Sequence, residues 1–267
     1  MLKKLRVLIS AQHALMLAYR AEIYLWVIAH VLPFIMMGIW VKAATDPASA
    51  GHFAMSPRDY ARYFLCVFVV RQFTAVWMIY EFEWHILEGR LAYLLLRPIN
   101  PLWHYISAHL GEQLARLPFF ALVTLLFFIL YPGARWIPSP ASLLLGISAI
   151  YAAFALRFAL QYCLAMLCFW FERASSIEQL SFLPYIFLSG LAVPLDDFPQ
   201  RARDLVNLTP FPYMIGFPAE ILMGKLTATD PRLLQGFAVI AAWFLGFSFL
   251  GAILWRRGLR QFSAQGA

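Results

Sequence analysis

"ASLLLGISAIYAAFALRFALQYCLAMLCFWF", residues 141–171, runs through 31 positions with a single charge, Arg157. At a rise of about 1.5 Å per residue it exceeds a hydrocarbon layer of about 30 Å, whereas a soluble core of this length would alternate apolar and polar residues. Composition agrees. Hydrophobic residues make up 62% of the 267-residue chain and charged residues 13%, against roughly 45–50% and about 25% in soluble domains. Lipid leaves an isolated segment only the helix to satisfy its backbone, so the fold class is an all-α integral membrane protein. Six transmembrane helices are expected, at 21–41, 63–80, 114–131, 141–171, 177–195 and 233–255. Enzymes that work on dissolved substrates are demoted by the same composition.

The net charge of +7 is spread through loops and termini, so topology explains it better than nucleic acid does, and no nucleic-acid partner is expected. Six crossings put both termini on one side. That side, with the 80–116 connection and the 172–176 turn, holds eleven Lys and Arg against eight on the other, which places both termini in the cytoplasm. The N-terminus opens like a signal peptide with Lys3, Lys4 and Arg6, yet its apolar core "VLIS" is too short to be one and is expected to be retained. Residues 1–20 suit a helix lying in the interface among membrane lipids. Cys66, Cys163 and Cys168 fall inside apolar runs without CxxC spacing, which supports neither a disulfide framework nor a zinc site. No internal repeat or linker is visible, so 1–267 is taken as one domain.

The connection after the second span contains "GRLAYLLLRPINP", residues 89–101, too short to cross and too oily for water. As a short helix it places Leu91, Leu94 and Leu95 on one face, with Arg90 and Arg97 projecting together. Pro98 biases Arg97 away from helical geometry, and Pro101 keeps the segment separate from the third span. Glu81, Glu83 and Glu88 add acidic charge around it. Either a partner covers the leucines or the helix lies on the bilayer with its arginines at headgroups.

"GRLAYLLLRPINPLWHYI" resembles the cytoplasmic motif of permease subunits of bacterial type 2 ATP-binding-cassette exporters, in the subgroup that includes viologen-exporter permeases. "CFWFERASSIEQL" (168–180) is similar to that family's turn between spans four and five, and "LVNLTPFPYMIGFPAEILMGK" (205–225) to its segment before span six. The first two spans match only in hydropathy. The resemblance implies a coupling helix within 81–112, with Glu88, Gly89, Arg90, Leu91, Leu94, Leu95, Arg97, Pro98 and Pro101 docking into an ATPase groove. It further implies two ATPase subunits, a second permease that is identical or homologous, and a bacterial cytoplasmic (inner) membrane. No GxxxxGK[ST] loop is present, so ATP and Mg belong to the partner ATPase and this chain binds no cofactor of its own.

Pro194, Pro199, Pro210, Pro212 and Pro218 punctuate the segment before the last span into pieces too short to cross. Asp196 or Asp197 can cap a helix with Pro199 in its first turn, running to about Asn207, and Gly224 can end a second. Residues 196–230 therefore read as a re-entrant hairpin or, alternatively, a proline-rich loop without a gating role; in the resembled family this hairpin is an external gate. Arg71 and Arg157 lie near the middles of spans two and four, with Gln72 and Gln161 nearby. Charges there mark transport paths, here for an anionic or amphiphilic cargo. The alternative is arginines bonded to backbone carbonyls or to Glu178, or snorkelling to water.

Glu81, His85 and Glu88 share a helical face as metal sites require, but no HExxH or paired ExxH supplies further ligands, so no metal is expected. Ala238, Ala242 and Gly246 recur every four residues in the last span, which suits packing between subunits or within one. Trp26, Trp40, Trp77, Trp103 and Trp136 read as interfacial anchors rather than a binding cage. The expected function is outward movement of an amphiphilic or hydrophobic compound, drug-like or lipid-linked, by a permease that is not itself an enzyme. A lipid-modifying membrane enzyme, an ATP-independent secondary transporter and a non-transporting anchor are the alternatives.

Overall fold

Four helices begin the same way, with a polar cap followed by proline: Ser56–Pro57, Asn100–Pro101, Ser139–Pro140 and Asp230–Pro231. Each cap side chain accepts a backbone N–H, at 3.3, 2.9, 3.0 and 2.9 Å in that order. Proline at the first helical position gives up an N–H that would have had no helical partner. Among the described residues, these starts open the four stretches long and apolar enough to cross a membrane: Pro57–Leu87, Pro101–Leu130, Pro140–Phe169 and Pro231–Gln261.

The computed structural model describes residues 2–18, 25, 30–48 and 50–262, among which no strand occurs. The helices are α1 (Leu2–Ala18), α2 (Leu32–Thr45), α3 (Pro57–Thr74), α4 (Met78–Leu87), α5 (Leu91–Leu95), α6 (Pro101–Leu130), α7 (Pro140–Met166), α8 (Ser175–Leu188), α9 (Gln200–Val206), α10 (Gly216–Met223) and α11 (Pro231–Gln261). Residues 21–24 and 26–29 of the expected first span lie outside the described residues. From Leu32 onwards it forms α2, which is 14 residues long and runs past the expected end to Thr45.

The second expected span is longer and broken: α3 stops at Thr74 and α4 resumes at Met78. The third starts at Pro101 rather than 114, which shrinks the expected 80–116 connection to residues 88–100. The polar residues at 104–116 lower hydropathy there, but they are inside α6 and mostly buried. Two of them mend the break. His109 Nε2 accepts the Trp77 N–H at 3.2 Å, and the Gln113 side chain donates to the Phe73 carbonyl at 2.7 Å. An unpaired backbone group at membrane depth costs several kcal/mol, by order of magnitude, so α6 carries the polar groups that a broken α3–α4 needs. Since the Tyr105 carbonyl can only accept from His109 Nδ1, at 2.8 Å, the imidazole is the Nδ1–H tautomer.

Arg116, counted above with the connection, is likewise buried in α6, so the charge asymmetry falls from eleven against eight to ten against eight. The fifth expected span is only the 14-residue α8, after which the chain turns at 189–192. The loops gather at two ends. At one, Trp40 donates to the Ala192 carbonyl at 2.9 Å and Arg62 Nε to that of Ala134 at 3.2 Å. At the other, Glu83 accepts from the Ser175 backbone and hydroxyl at 2.8 and 2.9 Å. α1 lies along α6 where Gly111 has no side chain, because a Cβ there would meet Gln12 at 2.9 Å and the His13 backbone at 3.0 Å.

Candidate functional site

The break between α3 and α4 opens a cavity of about 470 Å³, whose wall includes Ala75, Val76 and Trp77 of the break itself. Arg71 comes from the last turn of α3, Arg157 from mid-α7, Glu112 and Arg116 from α6, and Glu178, Phe182 and Tyr185 from α8. Tyr80 of α4 completes an aromatic lining with Trp77, Phe182 and Tyr185. Trp77 therefore belongs to a cavity wall rather than to an interfacial belt.

The carboxylates of this cavity are committed. Glu112 is ion-paired with Arg116 one helical turn away. Glu178 accepts from Gln161 Nε2 at 2.8 Å with one oxygen and from the Tyr80 hydroxyl at 3.0 Å with the other. The expected alternative of an arginine bonded to Glu178 is not what the side chains do. Arg157, only 7% exposed, lies over the Tyr185 ring at 3.7 Å, and its Nε meets no hydrogen-bond partner. Arg71 Nη1 is buried and also unpartnered, and the two like charges repel each other. Among the described residues neither arginine is in a salt bridge. Gln161 acts one layer behind the wall, while Gln72 is buried away from it with both amide atoms unpartnered. Of these wall residues the two arginines were expected from the sequence, whereas Tyr80, at the end of the expected second span, and Glu112 and Arg116, counted with the 80–116 connection, were not.

Gly89 turns the chain from α4 into α5 with φ of 67°, the left-handed region where a side chain is strained, and its N–H caps the Ile86 carbonyl at 3.1 Å. The expected leucine face of α5 divides. Leu91 and Leu94 turn inward onto Met78, Ile79, Phe82 and Tyr105. Leu95 points outward with Tyr93, 70% exposed, and Leu96, 83% exposed, beside exposed Arg90, Arg97 and Pro98. The inward pair anchors the helix to its own bundle, so only the other face is open to a partner. Glu88 pairs with Arg90 at 3.0 Å, and Arg90 stacks on Trp84 at 4.0 Å. Pro101 starts α6, which separates α5 from it as expected.

Glu88 is not grouped with Glu81 and His85, although sequence spacing put the three on one face, set aside above as a metal site; His104 joins them instead. One ligand atom from each of Glu81, His85 and His104 lies within 4.8 Å of the others. His104 Nε2 sits 3.3 Å from Glu81, and His85 Nδ1 sits 2.8 Å from the Tyr105 hydroxyl.

At the other end, Asp196 and Asp197 do not cap a helix. They form a 3₁₀ turn, and α9 starts after Pro199. Asp196 holds Lys225 in a close ion pair and Arg203 at 3.3 Å. Burial pushes the Glu220 carboxyl up to about 7, and burial, with Arg232 second, holds the Lys225 ammonium below its usual range. α9 and α10 have seven and eight residues, and α10 is capped by left-handed Gly224 at φ of 83°. Pro194, Pro210, Pro212 and Pro218 are buried, and α10 is wedged against α3 and α7. In α11, Gly236, Gly251 and Gly258 face Phe217, Tyr162 and Phe169, whereas Ala238, Ala242 and Gly246 are exposed. That small-residue stripe is not used for packing within the protomer.

The model of the family described as ABC-2 family transporter protein matches residues 57–266. The chain belongs to the ABC-2 transporter family. Among curated proteins, none matches the chain. As an ABC-2 permease it is a multi-pass membrane transport subunit that associates with an ABC ATPase, and the long apolar helices starting at Pro57 and ending at Gln261 fall within the matched region.

Proposed function

We propose that this permease exports an amphiphilic compound through the cavity at the α3–α4 break, driven by ATP hydrolysed in two copies of a separate ATPase. The observation that carries the reading is a midspan cavity in an ABC-2 family chain whose two arginines, Arg71 and Arg157, each hold a buried guanidinium nitrogen without a hydrogen-bond partner among the described residues. Charges at that depth are costly and mark substrate paths.

In this reading the chain is a single permease domain of six spans in a bacterial inner membrane, both termini in the cytoplasm, with α1 in the interface. The coupling region is the 88–100 connection around α5, the part of the expected 81–112 segment that lies outside α4 and α6. Tyr93, Leu95, Leu96, Arg90 and Arg97 meet the ATPase groove, while Gly89, Leu91 and Leu94 hold α5 rigidly to the bundle. Closure of the ATPases moves α5 and with it α4 and α6, which wall the cavity. The 196–230 hairpin, fastened by Asp196 and Asp197 and wedged by α10, is the outer gate. A second permease, identical or homologous, packs against the exposed stripe of α11. The chain binds no cofactor or metal.

Proteoliposomes holding the permease with its ATPase test this. ATP-dependent accumulation of a hydrophobic dye in inverted vesicles, lost in Arg71→Gln and Arg157→Gln with unchanged thermal stability, is expected. Transport by the permease alone without ATP overturns the reading in favour of a secondary transporter.

A further inference from the structure

The charge inventory of the cavity carries a statement about what it takes. Among the described residues, three arginines face it against two glutamates. Arg116 is answered by Glu112, and Glu178 is taken up by two neutral donors, Gln161 and Tyr80. What remains is Arg71 and Arg157, each with a buried N–H aimed at no acceptor. Tyr185 covers one face of the Arg157 guanidinium at 3.7 Å, which fixes the plane of the group but supplies no counter-charge. A desolvated cation without an anion is costly, and an arginine fork offers paired donors suited to carboxylate, sulfonate or phosphate oxygens.

We infer that the cargo is an anionic amphiphile: its acidic head sits between Arg71 and Arg157, and its apolar body lies against Trp77, Tyr80 and Phe182. The volume of about 470 Å³ admits a head and part of a tail. A dicationic aromatic such as a viologen meets repulsion there. This inference rests on the transport reading, but binding is measurable without turnover.

The experiment uses the permease–ATPase complex in phosphatidylcholine nanodiscs and radiolabelled dodecyl phosphate as probe, with empty discs as background. The expected result is saturable binding above background, which inorganic phosphate, dodecyltrimethylammonium and methyl viologen do not displace. Arg157→Gln and Arg71→Gln each weaken it about tenfold or more, and Arg157→Lys retains part of it. Equal displacement by the cationic amphiphile overturns the inference, an outcome that needs no variant to fold. Displacement by inorganic phosphate alone also overturns it, since the apolar body then contributes nothing. Discs containing phosphatidylglycerol separate cargo from resident lipid. ATP-dependent release of the probe in those discs supports cargo, and blockade by phosphatidylglycerol with no ATP-dependent release overturns it. Intact binding with no ATP-driven transport indicts the transport reading instead.

Discussion

The Tyr60 hydroxyl donates to the carboxylate of Asp197, 2.7 Å from one oxygen and 2.8 Å from the other. It fastens the first turn of α3 to the 3₁₀ turn that opens the outer hairpin, and the same carboxylate accepts the Ala54 N–H at 2.9 Å. Hydrogen bonds to a charged acceptor contribute roughly 1.5–3 kcal/mol. Tyr60→Phe leaves Asp197 with its backbone donor only, so we expect a loss of about 1–2 kcal/mol. Thermal unfolding of the purified protein reads it, and an unchanged midpoint contradicts it.

Glu220 makes the hairpin sensitive to pH. Its carboxyl titrates near 7 in the fold because burial disfavours the charge, against an ordinary value of 4.5. A raised folded pKa means the contribution is complete below about 4.5 and is lost as pH climbs through about 7. Glu220→Gln stays neutral throughout. At pH 8 the variant should be more stable than the native protein by on the order of 1–2 kcal/mol, and at pH 4.5 the two should coincide. Melting curves at the two pH values decide it; a variant advantage that does not grow with pH counts against it.

Membrane class, helical architecture and the two cavity arginines were legible in the sequence because a long apolar run and a charge inside it are local signals. The start of α6 was not. Hydropathy ends a span at His104, His109, Glu112 and Arg116, yet Glu112 and Arg116 pair with each other at i, i+4 spacing, while His104 meets Glu81 and His109 meets Trp77. The two histidine contacts depend on what the fold brings alongside, and no spacing rule contains them. The same holds for α5, where helical periodicity grouped Leu91, Leu94 and Leu95 but could not tell the anchored side from the open one.

Leu91 provides a control for that division. It is fully buried against α4 and α6, so Leu91→Ala should cost about 2–5 kcal/mol by loss of transfer energy and a residual cavity. Leu96→Asp, at 83% exposure, should leave the melting temperature within error. Equal destabilisation by both contradicts the orientation of α5.

Glu81 and His104, 3.3 Å apart, tie α4 to α6, and we propose that the Glu81–His85–His104 cluster serves as this tie and holds no metal. Treatment with EDTA should leave the melting temperature unchanged, and elemental analysis should find less than stoichiometric zinc. His104→Asn then costs no more than about 1 kcal/mol, the range of a partly exposed contact. A stoichiometric metal lost on chelation, with a lowered midpoint, contradicts this.

The account turns on where ATP energy enters. The decisive measurement is transport-coupled ATP hydrolysis by the permease–ATPase complex in nanodiscs, comparing the native chain with Leu96→Asp and Tyr93→Asp. The account predicts that both variants fold normally, retain less ATPase on purification and lose coupled hydrolysis by about tenfold or more, since a carboxylate is then buried in an apolar groove. Full coupling in both variants would contradict it.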